Sequence, residues 1–210
     1  MNRNGPSKPG VVELDELAVG EAVAVLADAF HDYPVMRFVL GPGGDYDSRL
    51  HALVGLFVRA RFARQGPVLG LHGADGVLVG VATMTLPRER AASVSFGDWR
   101  EHLWRMLGGE SRARYEAFSA AANGLEPTLV HHHLNMIGVR RDLQGRGHAR
   151  ALLDAVHELA AIDPGSAGVS LSTEHAPNVA LYERFGYSVA GYARVTPELE
   201  TWVMFRPSGG

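Results

Sequence analysis

The sequence predicts one α/β domain of the α+β kind, with a mixed, mostly antiparallel sheet of about six to seven strands flanked by helices. Three observations predict it. Two β-rich runs, PVLGLHG and VLVGVATMTL, flank a short ADG turn and read as a hairpin. Stretches with apolar residues at helical spacing, such as SRLHALVGLFVRARFARQG, lie between such runs. In the second half, the strand LVHHHLNMIGV leads through VRRDL and the glycine turn QGRG into the amphipathic stretch HARALLDAVHELAA.

The elements follow in order. VVEL reads as a short strand. GEAVAVLADAF is helical, with Val23, Leu26, Ala27 and Phe30 on one face. Pro34 disfavours helix at Tyr33 and ends that segment. GPGGD (41–45) is a loop. The next helix carries Leu50, Leu53, Val54, Phe57 and Val58 at helical spacing, with Gly66 as its stop. After the hairpin, residues 87–127 hold two helices, around GDWREHLWRMLGG and ESRARYEAFSAAANG. Their Trp99, Trp104, Tyr115 and Phe118 either anchor the helices or, since so long an insertion between strands often covers a site, line one. LVHHHLNMIGV and GVSLST are strands, and the helix between them runs to about Ile162. PNVALYERF is a short helix with Pro177 in its first turn and Gly186 at its C-terminal stop. YSVAGYARV and TWVMFR close the chain as two strands. The expected layout is a disordered tail over 1–10, one domain over 11–206 and a second tail over 207–210.

Composition narrows the function. The chain has 210 residues and net charge −3, so no cationic field holds nucleic acid or an anionic membrane, and neither partner is expected. With no cysteine there is no disulfide, no thiolate metal site and no cysteine nucleophile. The polar start, MNRNGPSKPG, has no apolar core to read as a signal peptide, and no apolar run is long enough to span a bilayer. The expected location is cytoplasmic, as a monomer or homodimer. No metal site is assigned, because the neighbouring strand residues of HHH point apart.

The glycine turn suits an anion. A helix N-terminus carries unpaired N–H groups and partial positive charge, and glycines let a large anion approach closely. Residues Gln144, Gly145, Arg146, Gly147, His148, Ala149 and Arg150 form the candidate phosphate cradle, with the two arginines adding charge. It is a poor dinucleotide fingerprint, because Arg150 stands where a third glycine belongs and RRDL separates strand from turn. No Lys-Ser/Thr follows, so it is not a Walker loop either.

The run Q-G-R-G-H-A resembles the Arg/Gln-x-x-Gly-x-Gly/Ala pyrophosphate loop of the GCN5-related N-acetyltransferase (GNAT) family, placed as in that family between a strand ending at Val139 and a helix. Downstream, LST followed by PNVALYERFGY is similar to its next strand and helix, and WVMFR to its last strand. The resemblance covers about 130–206; before that only the element order fits. AFHDYPV and LSTEHAPNVALYERFGY further resemble small-molecule acetyltransferases of the puromycin-resistance type. The resemblance implies the GNAT fold and acyl transfer from acetyl-CoA to the amine of a small molecule. It implies that the cradle holds the pyrophosphate of coenzyme A and that backbone groups of Ile137, Gly138 and Val139 pair with the pantetheine arm, one of them polarising the thioester carbonyl. It implies that Asn178 helps hold the cofactor and that the Tyr182 hydroxyl protonates the departing thiolate. Tyr182 without the resemblance is a packing aromatic beside Leu181 and Phe185.

The attacking amine must lose a proton. Alternation puts His131, His133 and Asn135 on one strand face, and imidazole suits proton transfer near neutral pH. His133 is the first candidate base, with Glu174 and His175 as others. All could equally be satisfied or solvated structural residues. Without cysteine, direct transfer in a ternary complex is expected. The acceptor side is sought in FHDYPVMRF (30–38) and in 87–127, where Asp32, Tyr33, Trp99 and Glu101 are candidate lining residues. Two other readings stay open. One is a catalytically silent acyl-CoA-binding regulatory module, and the other a nicotinamide or flavin enzyme resting on Gly145-x-Gly147.

Overall fold

A computed structural model describes residues 10–209. The expected tail over 1–10 lies outside these residues apart from Gly10, as does Gly210. The elements are β1 (Val11–Glu13), α1 (Val19–Ala29), α2 (Pro34–Leu40), α3 (Tyr46–Ala63), β2 (Val68–His72), β3 (Leu78–Thr85), α4 (Val94–Leu107), α5 (Gly109–Asn123), β4 (His132–Val139), α6 (His148–Ala161), β5 (Gly168–Thr173), α7 (Ala176–Glu183), β6 (Ser188–Thr196) and β7 (Leu199–Pro207). Short 3₁₀ turns precede α1 (Glu16–Ala18) and follow β4 (Arg141–Leu143).

One seven-stranded sheet runs in the order β1-β2-β3-β4-β5-β7-β6. Every neighbouring pair is antiparallel except β4 and β5. A parallel pair cannot be joined by a tight turn, so α6 forms the crossover between them. The expected mixed, mostly antiparallel sheet flanked by helices is what forms.

Both faces of the sheet are covered. On one, α1 and α3 pack through Ala22, Val25, Leu26, Leu53 and Val54, all almost fully buried, together with α2 and α4. On the other, α6 packs through Leu152, Leu153, Val156 and Ala160 against Leu134, Val139, Val169 and Leu171. Gly138 sets the first of these distances. A Cβ there would stand 2.7 Å from the Ala29 Cβ and 3.0 Å from a Leu26 methyl, so the missing side chain lets α1 seat directly on β4.

Local expectations are met with three differences. Pro34 does end α1, with Tyr33 extended at φ −72° and ψ 134°, but the same proline opens α2 from a first-turn position. The sequence reading assigned no element there, because VMRFVL is too short to display a helical period. Helix α3 ends before Gly66. Gln65 takes the left-handed conformation at φ 56°, while Gly66 donates its N–H to Arg61 O at 2.8 Å. Finally, β7 runs one residue past the expected domain end, to Pro207.

Replacing Gly138 by Ala should lower stability by about 1–3 kcal/mol through overpacking of α1 on β4. Leu152→Ala should cost about 2–5 kcal/mol through the cavity it leaves. Urea denaturation followed by circular dichroism reads both.

Candidate active site

Strands β4 and β5 pair only over His132–Leu134 and Val169–Leu171. Beyond that, β4 continues to Val139 and β5 to Thr173 with no ladder between them. The parting begins at an irregularity. Thr83 pairs with Met136 and Met84 with Leu134, so Asn135 is an extra residue bulged out of β4. The bulge reverses the alternation after it, so Met136 joins the core under α1 and α3 while Ile137 packs on the α6 side.

The ladder register decides which backbone groups remain free. Arg140 N donates to Val79 O. In an antiparallel ladder, groups facing the partner alternate along the strand, so Gly138 and Met136 also face β3. The N–H and C=O of Ile137 and Val139 therefore face the open gap. The side-chain amide of Gln144 donates to Val139 O at 3.1 Å and closes the end of that row.

At the mouth of the gap stands the N-terminus of the 14-residue helix α6. Gly145 and Gly147 adopt φ 75° and 85°, and nothing lies within 4 Å of where a Cβ would sit on either. Among the described residues, the N–H groups from Gly145 to Arg150 have no hydrogen-bond acceptor, and no side chain caps the helix. Arg146 bonds back to Asp142 O at 3.1 Å, and the Arg150 guanidinium lies 4.8 Å from the Phe185 ring centre. A row of free donors at a helix N-terminus, next to free strand groups, matches a ligand with an anionic end and an amide-bearing arm.

The gap opens into a cavity of about 570 Å³. Its wall includes Asn135, Met136 and Ile137 of β4, Leu171 and Ser172 of β5, and Asn178 and Tyr182 of α7. Asn178 and Tyr182 lie one turn apart on the same face, as their spacing requires. The Asn178 amide donates to Thr173 Oγ1 at 3.3 Å. The Tyr182 ring packs edge-on against Tyr187, whose hydroxyl meets His157 Nε2 at 3.0 Å. The Tyr182 hydroxyl itself has no hydrogen bond among the described residues. Burial, reinforced by the nearby Glu174 carboxylate, pushes it up to about 12. Near neutral pH it is a proton donor.

His133 also lines this cavity, as well as an adjoining one of about 530 Å³ bounded by α5 and the loop after it. Its Nδ1 lies 3.2 Å from Glu126 Oε1 and 2.8 Å from Ser170 Oγ. Partial burial alone would raise the Glu126 carboxyl. Hydrogen bonds from His133, Ser170 and His131, with the His133 charge, outweigh it and bring it down to about 2. An ionised carboxylate accepts only, so it pairs with an N–H at Nδ1, and in the neutral ring Nε2 is then the acceptor nitrogen. Glu126 follows α5 by a short loop, and nothing local in the sequence marks it.

Glu174 was only a secondary candidate in the sequence, yet it is buried. It is 8% exposed and lines the main cavity. The Thr201 hydroxyl donates to its Oε1 at 2.8 Å. Burial pushes the carboxyl up from 4.5 to about 7, against the stabilising Thr201 and Tyr33 hydroxyls. His175 is exposed, ahead of α7, and does not line the cavity. On the acceptor side, Tyr33 and Glu101 line the wall. Asp32 instead forms exposed ion pairs with Arg37 and Arg141, and Trp99 stacks on Phe96 behind the lining. Trp104, Tyr115 and Phe118 both anchor α4 and α5 and line the cavity, so the two readings of the insertion aromatics coincide.

Because Glu174 binds its proton more tightly folded than unfolded, its contribution opposes folding increasingly as pH rises from about 4.5 to about 7. Glu174→Gln removes that penalty. Relative to wild type, the variant should therefore gain up to about 3 kcal/mol across this window, at about 1.4 kcal/mol per unit. Urea midpoints at a series of pH values check the sign and size.

The acetyltransferase (GNAT) domain family model matches residues 110–189, from α5 to the start of β6. Among solved structures, the chain is similar to a histone acetyltransferase HPA2 and related acetyltransferase from Corynebacterium glutamicum. That match has 20% identity, covers 97% of this chain and 98% of that one, and has a TM-score of 0.67. It is similar to the ribosomal-protein-S18-alanine N-acetyltransferase of Escherichia coli, with 15% identity, coverages of 97% and 96% and a TM-score of 0.59. It is also similar to yncA of Salmonella typhimurium, solved with its cofactor acetyl-CoA, with 17% identity, coverages of 97% and 96% and a TM-score of 0.52. At these identities the likeness is one of fold, and it extends over the N-terminal half, where the sequence motifs are silent. Residues 110–189 match the acetyltransferase (GNAT) domain model, and the chain as a whole has the fold of these solved acetyltransferases.

Proposed function

We propose that the protein is an acetyl-CoA-dependent N-acetyltransferase acting on the amine of a small molecule, by direct transfer in a ternary complex. The observation that carries the reading is continuity. Ile137 and Tyr182 line one cavity beside the parting of β4 from β5, and the chain runs on from the same strand, through Val139, to the free N–H row from Gly145 to Arg150.

Each residue has a task in this reading. The N–H groups from Gly145 to Ala149 bind the pyrophosphate, with Arg146 and Arg150 near enough to add charge. Ile137 and Val139 pair with the pantetheine arm, and Asn178 braces it from α7. The donor supplies an activated acetyl thioester. A strand N–H polarises its carbonyl, and fixed donors in a dry site stabilise developing negative charge well. His133, held through Nδ1 by Glu126 and Ser170, accepts a proton from the attacking nitrogen at Nε2. Tyr182 gives its hydroxyl proton to the leaving sulfur.

A small-molecule acceptor is favoured by cavity size and cover. About 570 Å³ is the volume of an ordinary ligand pocket, and α4 and α5 lie over it.

Calorimetry with acetyl-CoA should show binding that Gly147→Glu abolishes, since a side chain there strains the left-handed turn and sets a carboxylate against the phosphates. NADH should not compete. Preferential NADH binding would overturn the reading in favour of a nicotinamide enzyme. Tyr182→Phe and His133→Gln should each keep acetyl-CoA binding and lower turnover with a panel of small amines by about 10²–10⁴-fold. Binding without turnover of any amine by the wild type would leave a silent acyl-CoA-binding module instead.

A further inference from the structure

The charges on the cavity wall do not balance where α3 meets the insertion helices. Arg61 and Arg64 of α3, Arg100 of α4 and Arg112 of α5 all line that wall. Glu101 lies 3.5 Å from Arg100 and 2.6 Å from Arg112, and Glu116 lies 2.9 Å from Arg112, so these two arginines have two carboxylates. Arg61 and Arg64 share one, Glu89, at 2.5 and 3.5 Å. Among the described residues it is the only carboxylate within ion-pair distance of either. One positive charge is left over, away from water: the Arg61 side chain is 12% exposed and that of Arg64 27%. Burial holds the Arg61 guanidinium below its ordinary value in spite of Glu89. A charge withdrawn from water needs a partner of opposite sign.

Tyr115 marks where that partner belongs. Its ring packs against Trp104 and Phe57, with centroids at 5.1 and 5.6 Å. Its hydroxyl has no hydrogen bond among the described residues, and the charges of Arg61, Arg100 and Arg64 all act on it. Burial outweighs them and pushes the phenol up, so near neutral pH it stays a donor. One free O–H thus stands near three guanidiniums from two helices. Converging donors and positive charge in an aromatic surround suit a carboxylate, which guanidinium groups bind through charge-assisted hydrogen bonds. A surplus of one charge matches a carboxylate rather than a phosphate dianion.

We propose that Arg61, Arg64 and Arg100, around the Tyr115 hydroxyl, receive a carboxylate on the acceptor, so that the acceptor class is an amine carrying a carboxylate on an aromatic or apolar spacer. The proposal rests on the acetyl-transfer reading above and adds the group that decides which amines are taken. A short chain of hydrogen bonds ties the site to β4. Arg61 donates to Thr85 Oγ1, and the Thr85 hydroxyl donates to Asn135 Oδ1 at 3.1 Å, at the bulge where β4 turns from β5. Carboxylate and amine occupy two parts of one cavity, and the spacer lies against Phe57, Phe96 and Trp104. An amine without an anion leaves the buried positive charge unmatched and is the poorer acceptor.

The site is tested first without turnover. On the wild type saturated with CoA, calorimetry should show benzoate bound about 10–100-fold more tightly than its neutral counterpart benzamide. Arg64→Gln and Arg100→Gln should each cut that preference about tenfold. Both variants should bind CoA as the wild type does, which shows that they are folded. Turnover then tests the acceptor. With acetyl-CoA, kcat/KM for 4-(aminomethyl)benzoate should exceed that for 4-(aminomethyl)benzamide by a similar factor. Each variant should narrow the gap by lowering the first more than the second, whereas a merely structural role would lower both alike. Benzoate bound no better than benzamide, or a preference that survives both substitutions, would overturn the carboxylate site while leaving acetyl transfer standing. Selective binding of benzoate with equal acetylation of the two amines would overturn the acceptor assignment. A wild type that binds CoA and acetylates neither amine would overturn the acetyl-transfer reading for such amines, and the acceptor assignment with it.

Discussion

The parting of β4 from β5 is the constraint on which the rest of this structure depends. Two parallel strands that stayed paired would satisfy each other's backbone groups and present no edge. Here pairing stops after Leu134 and Leu171, and the bulge at Asn135 turns β4 away. An exposed row of strand N–H and C=O groups is ordinarily a liability, because buried backbone polar groups need partners. Its survival inside a folded domain makes sense where a ligand supplies those partners. The close seating of α1 through Gly138 holds β4 in the bent course from below, and α6 holds it from the other face.

The same parting places the chemistry. Because β5 ends beside the gap, Glu174 and the helix α7 that follows it fall at the open end, with Tyr182 turned inward. Because α6 must start after the long excursion of β4, its unpaired N-terminus opens on the other end. One gap thus has unpaired helix N–H groups at its mouth, strand groups along its length and a buried phenol and carboxyl at its floor. The buried phenol and the buried carboxyl are both pushed toward their neutral forms by the same dry surroundings. The carboxyl is thereby brought close to neutral pH, where it can take up or release a proton, while the phenol stays protonated there.

The insertion between β3 and β4 completes the site rather than decorating it. Its two helices lid the cavity with aromatic side chains, and the loop after α5 brings Glu126 to His133. A carboxylate holding one imidazole nitrogen leaves the other as a base, the logic by which acid–histidine pairs work on unrelated folds.

Much of this was legible in the residues alone. The hairpin, the long helices and the paired glycines before α6 are local features, set by side-chain period and by backbone freedom that neighbours in sequence already dictate. Asn178 and Tyr182 share a face because a helix requires it. The helix α2 was hidden, because seven residues that begin with a proline are too few to show a period. The bulge at Asn135 was hidden as well, since nothing in VHHHLNMIGV marks an extra residue until β3 sets the register against it. His133 could be picked for its chemistry, but Glu126 and Ser170 reach it only through folding. The standing of Glu174 reversed for the same reason. In the sequence it is an acidic residue at a strand end, and only burial beneath Tyr33 and against Thr201 makes it a carboxyl without a cation. The sequence by itself determined the elements, the glycine turn and the family resemblance, because these rest on neighbours along the chain. Tertiary structure alone decided which strands part and which charges are left unmatched, because those depend on groups the chain brings together from far apart.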